Sequence, residues 1–351
     1  MIINFKKKEG LNLHLIDNKL SHGVIASQHE DRVSFINSRC MNRHGLLLDE
    51  MSSFKPTVPS IRYKNLFKFV LNNKIKTLHI RSIIQFVYIY MINFLLFRRI
   101  NLVYEFRGLV SEESYLRNNS KFRKILLTYL ESFAYRKSTK VIVVSNEFKK
   151  YLENKYYKKN IEVLPCCIST NLKKTRKKIK NPVMSFVYLG GVSKWQKFDA
   201  ILKLYSRIEC ELLNTKLTVI TNNTSEAKDL IGKTTIQNIN IKSLTHEEVK
   251  KDLVNYDFGF LIRDNILLNN VASPIKYLEY IGNGVIPIIS EGVGDYTQET
   301  INNNIGIVVD KYNNFEFSQI YHLINDNLIF ERLSKVSEKY LWRNQVQEDC
   351  L

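Results

Sequence analysis

The residues best suited to chemistry lie in the stretch SPIKYLEYIGNGVIPIIS, residues 273–290. Ser273 followed by Pro274 is typical of a helix start, because serine caps a first turn and proline is favoured at the first helical position. The free N–H groups of such a turn form an anion site. Lys276 lies at this positive end of the helix dipole, where a bound anion would account for a lysine. Glu279 shares its helix face, and a carboxylate there suits the two hydroxyls of a ribose.

Two interpretations of this helix start remain open. In the first, the backbone from Ser273 to Ile275 and the Lys276 ammonium hold a phosphate, while Glu279 holds a sugar ring. In the second, Glu279 forms an ordinary salt bridge with Lys276 on an exposed face. Either way, the Gly-Asn-Gly at 282–284 ends the helix, so that the next apolar strand can return to a sheet.

Further candidates follow two predicted strands of the second half. The strand in FVYLGG runs into Gly190 and Gly191, whose backbone can approach an anion closely, and Lys194 adds positive charge. A tight turn without a ligand is the alternative. The strand in YDFGFLIRD ends at Arg263, which is expected at the carboxyl edge of the sheet. A non-helical loop through Asn270 then leads to the helix start.

The first half offers charged residues after the predicted strand NLVYEF, residues 101–106. Arg107 directly follows this strand, and Glu112 and Glu113 come a few residues later. Glu105 alternates with aromatic residues inside the strand and is interpreted as structural. The seven histidines form no recognisable Ser-His-Asp or Cys-His arrangement.

These residues must be positioned by alternating strands and helices. The predicted strands are TLHIR, NLVYEF, KVIVVS and IEVLP in the first half, and MSFVYLG, KLTVIT, INIKSL, FGFLIR, VIPIIS and IGIVV in the second. Helical patterns between them favour parallel sheets covered on both faces. The sequence therefore predicts an α/β fold of two Rossmann-like, doubly wound domains facing a central cleft, with ligands at the carboxyl ends of the strands.

The segment NLKKTRKKIK, residues 171–180, is strongly basic and lacks apolar periodicity, which indicates a linker. It separates a predicted first Rossmann-like domain, residues 1–170, from a second one, residues 181–327. An amphipathic helix pattern in residues 328–351 is expected to pack back on the first domain.

Composition narrows the class of protein. The chain has 351 residues, 44% of them hydrophobic and 25% charged, as in folded proteins. Its net charge of +18 favours a polyanionic partner, and nucleic acid, anionic lipid and phosphorylated substrates all qualify. Nucleic acid is disfavoured because the basic residues are not interleaved with aromatic residues and glycines.

Cysteine usage and the first residues indicate a cytoplasmic protein. The five cysteines are odd in number and lack CxxC spacing, which favours a reduced chain without a zinc site. The opening MIINFKKKEG is charged where a signal peptide is apolar. The apolar run at 83–97 is shorter than the roughly 20 residues needed to cross a bilayer, which favours a buried helix over a membrane-surface helix.

Taken in order, these motifs resemble family 4 glycosyltransferases of the GT-B fold. SPIKYLEYIGNGVIPIIS is similar to a helix that often reads Pro-x-Lys-x-x-Glu-Tyr before a Gly-x-Pro-Val-Ile strand. The resemblance includes KVIVVSNEFKKYL, IEVLPCCIS, the glycine pair at 190–191, YDFGFLIRD and GVGD. It covers about residues 75–310.

The resemblance implies that Glu279 binds the ribose of a nucleotide-sugar donor. Lys276 and the amides after Pro274 would hold the diphosphate, with Gly190 and Gly191 beneath it. It further implies glycosyl transfer with retention of configuration, without a metal or other cofactor.

The implied role is bacterial surface polysaccharide synthesis. The partners would be a nucleotide sugar, a glycan or polyprenyl-diphosphate-linked acceptor, and an anionic membrane surface on the inner face of the cell membrane. Lys276, Arg263 and Arg107 are the candidate catalytic residues, and Arg107 is expected to face the reacting centre or an acceptor phosphate. Glu112 and Glu113 would bind acceptor hydroxyls. A nucleotide-sugar epimerase of the same fold and a non-catalytic nucleic-acid or lipid-binding protein are the alternatives.

The sequence departs from the family pattern at four places, one of which is Lys197-Phe198, a loose match to a Lys-Gly that many relatives have. Val271 stands where many relatives have a glutamate that contacts the donor sugar. Gly191 replaces an arginine after the glycine at the strand end, and Arg107 replaces a histidine of the first domain. Arg263 or Lys194 is expected to supply the missing positive charge.

Overall fold

The structure is a computed structural model that describes two compact units. The first unit comprises Met1–Leu164 with Glu348–Leu351, and the second comprises Pro165–Gln347. The described residues are 11–17, 43–49, 60–62, 68, 70, 75–95, 97, 99–157, 160–168, 183–310 and 314–345. The predicted linker at 171–180 lies outside them.

The first unit is built on a parallel sheet with strand order β3-β2-β1-β4-β5-β6-β7. The strands are β1 (Leu11–Asp17), β2 (Arg43–Asp49), β3 (Ser60–Arg62), β4 (Ile75–Ile80), β5 (Asn101–Phe106), β6 (Lys140–Val143) and β7 (Ile161–Val163). Strand β5 is buried from Leu102 to Phe106, as expected for a central strand covered on both faces.

The described helices of the first unit are α1 (Ile83–Leu95), α2 (Val110–Asn118), α3 (Lys121–Lys137) and α4 (Asn146–Lys155). Serine side chains start two of them. The Ser120 hydroxyl accepts a hydrogen bond from the Arg123 N–H, and the Ser145 hydroxyl accepts one from the Phe148 N–H. The sequence did not predict α2 as a separate helix.

The second unit has a parallel sheet with strand order β10-β9-β8-β11-β12-β13. Its strands are β8 (Met184–Leu189), β9 (Thr215–Ile220), β10 (Ile239–Lys242), β11 (Phe258–Leu261), β12 (Ile286–Ser290) and β13 (Ile307–Val309). Parallel sheets with flanking helices in both units confirm the predicted α/β class, and all ten strands predicted from residue 75 onward are present.

The helices of the second unit are α5 (Phe198–Glu211), α6 (Thr224–Ile231), α7 (His246–Asp252), α8 (Leu267–Asn270), α9 (Ile275–Gly282), α10 (Asp295–Asn303), α11 (Ser318–Asn325), α12 (Ile329–Glu338) and α13 (Trp342–Gln345). At the centre of the core the Phe186 ring on β8 stacks on two rings of β11, with centroids 5.3 Å from Phe258 and 5.7 Å from Phe260. This ring stacking packs β8 against β11 at the centre of the second sheet.

The C-terminal helix α12 lies in the second unit. Its apolar stripe of Ile329, Leu333 and Val336 is buried in the core of the second unit, against α9. The segment that follows is held there too, because Ile168 and Leu341 form a β-bridge. The described part of this tail thus belongs to the core of the second unit, and the expected packing of residues 328–351 on the first domain stays a prediction.

Helix α1 is only half buried. Ile83, Gln85, Phe86, Ile89 and Ile92 face the interior, while the opposite side is exposed to solvent. The expected buried helix is therefore correct for one face alone. Within the described residues, no helix combines the length and the apolar character needed to cross a membrane.

Candidate active site

The candidate site lies at the centre of the second sheet, where the strand order reverses. Strands β8 and β11 are neighbours there, although two strands, β9 and β10, are added outward from β8 on one side before the chain returns to form β11. Open α/β sheets bind ligands outside the carboxyl ends of the strands at such a switch point. Gly190 directly follows β8, and Arg263 follows β11 by two residues.

Gly190 allows the backbone to pass close to a charged side chain. Its φ of +143° is rarely adopted by residues with a side chain, and its N–H donates to the Ile220 carbonyl at 2.9 Å. A Cβ at this position would lie 2.0 Å from the Lys276 Nζ. The residue at the end of β8 must therefore be glycine if Lys276 is to keep its place.

Lys276 reaches this strand end from the second position of α9. Its Nζ donates to Gln196 Oε1 at 2.8 Å and lies 5.4 Å from the centre of the Tyr188 ring. Burial, helped by the charge of Arg263, lowers the pKa of Lys276 from 10.5 to about 7, and Glu279 opposes this shift. The ammonium is thus held in a place where a bound anion would stabilise it.

Arg263 adds a second cation to the same strand ends. Its guanidinium lies 5.2 Å from the ring centre of Trp195, within range of a cation–π contact. Its backbone N–H donates to the Ser290 hydroxyl at 2.8 Å, and that hydroxyl donates back to the Arg263 carbonyl at 2.7 Å. The buried Nε has no hydrogen-bond partner within the described residues. Burial lowers the pKa of Arg263 to about 10.

Glu279 lies three residues after Lys276 on α9 and is only 6% exposed. Its Oε1 lies 3.8 Å from His246 Nδ1, too far for a hydrogen bond, and its buried Oε2 has no hydrogen-bond partner among the described residues. Burial raises the pKa of this carboxyl to about 7, against the pull of Lys276 and Lys250. An unsatisfied buried carboxylate oxygen is costly, and a ligand hydroxyl would satisfy it. The exposed salt bridge considered from the sequence is thereby excluded.

The helix start itself differs from the prediction in detail. Pro274, not Ser273, is the N-cap of α9, and Ile275 is its first helical residue. The Ser273 hydroxyl is engaged elsewhere, because it accepts from the Cys166 N–H at 3.0 Å and pairs with the Tyr296 hydroxyl at 2.7 Å. The first N–H groups of α9, at Ile275 and Lys276, have no carbonyl one turn earlier in the helix to bond, so they are suited to an anion.

Tyr280 ties α9 to the sheet at the switch point. Its hydroxyl accepts from the Leu189 N–H at 3.1 Å and donates to the Phe260 carbonyl at 3.2 Å. Gly259 makes room for the ring, since a Cβ there would lie 2.8 Å from it. One side chain thus joins β8, β11 and the helix that carries Lys276 and Glu279.

The loop before α9 is partly helical, contrary to expectation, because α8 forms one turn ending at Asn270. The Asn270 side-chain amide donates to the Asn265 side chain at 2.8 Å. A Cβ on Gly294 would lie only 2.2 Å from the Asn270 backbone carbonyl oxygen, which leaves no room for a side chain there. Gly294, in GVGD, has a φ of +61°. Val271, at the place of the family's glutamate, is 1% exposed and packs inside the protein.

The first unit brings charged residues together at the carboxyl ends of β4 and β5. The buried Glu105 carboxylate lies 2.8 Å from His79 Nε2, 3.2 Å from Arg107 Nη1 and 3.8 Å from Arg81 Nε. Its interpretation as a structural residue is incomplete, since it also orients the Arg107 guanidinium. Parallel pairing of β4 with β5 produces this cluster, and the sequence alone does not show it.

The other predicted residues are placed as follows. Glu112 forms an ion pair with Lys124 at 2.8 Å, and Glu113 lies 3.7 Å from Arg117. Their acceptor role stays a prediction. Lys194 lies in the 3₁₀ turn Lys194–Gln196 after the glycine pair, and its side chain lies outside the described residues.

Three residues of this site were not predicted. Tyr188, Gln196 and His246 contact Gly191, Lys276 and Glu279 respectively. Tyr188 and Gln196 carried a signal through their closeness to the glycine pair, whereas His246 carried none. Within the described residues, no three His, Cys, Asp or Glu side chains are grouped so as to hold a metal ion.

Comparisons with known proteins decide the class. Residues 25–172 match the family model described as "Glycosyltransferase Family 4". The chain is a glycosyltransferase. A search of curated proteins finds no match.

Solved structures identify the fold of this glycosyltransferase. HepE of Anabaena, in complex with UDP, has a TM-score of 0.70 at 10% identity over 94% of this chain and 96% of its own. Sucrose-phosphate synthase from Thermosynechococcus elongatus has a TM-score of 0.67 at 11% identity over 95% and 96%.

The lipopolysaccharide outer core galactosyltransferase WaaB has a TM-score of 0.64 at 11% identity over 95% and 97%. Similarity across nearly the full length of both chains confirms the GT-B fold. At these identities it establishes the fold alone.

Proposed function

We propose that this glycosyltransferase moves a sugar from a nucleotide-sugar donor to a glycan or lipid-linked acceptor, with retention of anomeric configuration. The observation that carries the proposal is Glu279 Oε2, a buried carboxylate oxygen without a hydrogen-bond partner among the described residues, one helical turn from Lys276. A ribose hydroxyl would satisfy this oxygen while the diphosphate pairs with the ammonium.

The charges of the site suit a departing diphosphate. Lys276, Arg263 and the first N–H groups of α9 supply positive charge around the end of β8, where Gly190 lets the backbone lie close to the Lys276 ammonium. Preorganised donors of this kind stabilise charge that develops in a transition state. We propose that these side chains do the work without a metal ion, and that Arg107 acts on the acceptor side.

The similar structures support a nucleotide donor and suggest which base to test first. HepE is described in complexes with UDP and with UDP-glucose. On that basis we propose a uridine diphosphate sugar as the first donor to test. The other nucleotides belong in the same experiment.

The biological setting we propose is bacterial surface polysaccharide synthesis on the cytoplasmic face of the membrane. WaaB, with the same fold, is described as a lipopolysaccharide galactosyltransferase. The net charge of +18 supports contact with anionic lipid, since each basic residue near such a surface contributes about 1 kcal/mol. A polyprenyl-diphosphate-linked acceptor would be found there.

Calorimetric titration with UDP, GDP, CMP and dTDP tests the donor site. We expect one nucleotide to bind, and its affinity to fall by about 1.5 to 3 kcal/mol in Lys276→Met, the usual loss for a hydrogen bond to a charged group. Lys216→Met is the matched control, because Lys216 is exposed near the amino end of β9, at the edge of the sheet opposite the candidate site. Absence of nucleotide binding would refute the proposal.

Product analysis then separates transfer from epimerisation. An epimerase would return an altered nucleotide sugar, whereas a transferase holding its donor slowly passes the sugar to water. The first anomer released, read by NMR, should match that of the donor if configuration is retained. An inverted anomer would contradict the retaining mechanism and leave the donor site intact.

A further inference from the structure

Helix α3 carries an apolar stripe on its solvent side. Phe122, Ile125, Leu126 and Tyr129 follow each other at helical spacing, and Phe122 is 79% exposed and Ile125 70%. Exposed apolar side chains scattered singly are ordinary, but a continuous stripe on one helix face marks a contact surface.

Helix α1 carries a second stripe. Ile84, Tyr88, Met91 and Leu95 recur on its exposed face, opposite the side chains that pack on the sheet. Phe97, just beyond the helix, is 93% exposed. No charged residue occurs between Ile83 and Leu95, so this exposed face has no charge of its own.

The two stripes lie side by side. Strands β4, β5 and β6 are adjacent in the sheet and joined in that order, so right-handed crossovers place α1 and α3 on the same face. The helices touch directly, with the Tyr90 and Phe133 rings 5.0 Å apart. Their solvent sides therefore form one surface, here called the apolar face.

Basic residues border the apolar face. On α3, exposed Lys121 and Arg123 flank the start of the apolar stripe. Arg136 and Lys137 add two more basic residues in the last turn of the helix. The only acidic residue of α3, Glu131, is buried on the opposite side, where it accepts hydrogen bonds from Ser111. The border of the apolar face on α3 is thus cationic.

We propose that the apolar face is a docking surface for anionic membrane, with α1 and α3 lying in the lipid interface. Apolar side chains with cations at their edge match the boundary between acyl chains and acidic headgroups. A second copy is a poorer occupant, because a two-fold contact would bring this cationic border against its own equivalent. The inference rests on the proposed function in that a lipid-linked acceptor places the reaction at a membrane.

The test is vesicle flotation of the full chain. The vesicles are phosphatidylcholine alone or an equimolar mixture with phosphatidylglycerol. We expect binding to the mixture, weakened by salt. Ile125→Glu with Tyr129→Glu should lower partitioning by about tenfold or more, and Lys121→Gln with Arg123→Gln by about fivefold per charge. Circular dichroism checks that each variant is folded.

The matched control is Leu213→Glu with Ile301→Glu, two exposed apolar residues of the second unit. It should bind the mixed vesicles like wild type. The proposal would be overturned if the wild-type protein bound neither kind of vesicle, or if the apolar-face variants bound the mixed vesicles as well as wild type. Sedimentation showing a dimer that only the Ile125 and Tyr129 substitutions dissociate, without vesicle binding, would assign the face to a second copy instead.

Nucleotide titration of the same preparations separates this inference from the proposed function. Nucleotide binding without vesicle binding refutes the membrane surface alone. Vesicle binding without nucleotide binding refutes the donor site alone.

Discussion

Substituting Glu279 by glutamine removes one buried charge and nearly preserves the shape of the side chain. The carboxyl pKa rises from 4.5 to about 7 on folding, because burial disfavours the ionised form. Moving the pKa that far corresponds to about 3 kcal/mol of lost stability once the group is ionised in both states. We therefore expect Glu279→Gln to be more stable than wild type by about 3 kcal/mol at pH 8.

The pH dependence gives the sign of this effect. The unfolded carboxyl ionises near 4.5 and the folded one near 7, so the wild-type penalty grows as pH rises between these values and is constant above. The advantage of the variant should shrink to about 1 kcal/mol at pH 5. Urea unfolding followed by circular dichroism at both pH values measures it.

The same substitution should weaken nucleotide binding by about 1.5 to 3 kcal/mol, because the ribose loses a charged acceptor. Gain of stability with loss of binding is what a carboxylate kept for a ligand should show. Glu247→Gln is the control, since Glu247 is on the surface of α7 beside Lys250, and it should show neither effect. Equal stability of Glu279→Gln and wild type at pH 8 would refute the reasoning.

Two further predictions concern Lys276. Gly190→Ala would place a Cβ 2.0 Å from the Lys276 Nζ, so the variant should bind nucleotide at least about tenfold more weakly in the calorimetric titration. Gly191→Ala is the control, because its Cβ would be 3.6 Å from the Asn223 side chain, and this variant should bind nucleotide nearly normally. Because the pKa of Lys276 in the free site is lowered to about 7 and the ligand binds the ammonium, affinity should fall about tenfold per pH unit above that value, and Lys276→Met should abolish this dependence. A pH-independent wild type, or equal losses in both glycine variants, would contradict them.

Much of the fold could be predicted because local pattern and tertiary structure agree. The predicted strand NLVYEF coincides with β5 residue for residue. Its positions from Leu102 onward are hydrophobic except Glu105, which forms ion pairs, and this pattern suits a central strand. Lys276 and Glu279 were placed correctly on one helix because spacing on a helix fixes which side chains are neighbours.

What failed depends on partners distant in sequence. The Ser273 hydroxyl was expected to cap α9, but it is taken by the Cys166 N–H, more than one hundred residues earlier. The contacts of Glu105 arise from the pairing of β4 with β5. The burial of helix α12 against α9 was not predicted, because no local signal distinguishes that surface from another.

The link made by Tyr280 has a consequence for how this enzyme can diversify. Its hydroxyl joins the Leu189 N–H and the Phe260 carbonyl, so the helix bearing the donor residues cannot slide or turn without opening the middle of the sheet. Substitutions that alter the helix position should therefore be eliminated together with the fold. New sugar preferences are expected to arise by exchange of the loops after β8 and β11, which can change in length and composition while the proposed phosphate and ribose contacts of the helix are inherited unaltered.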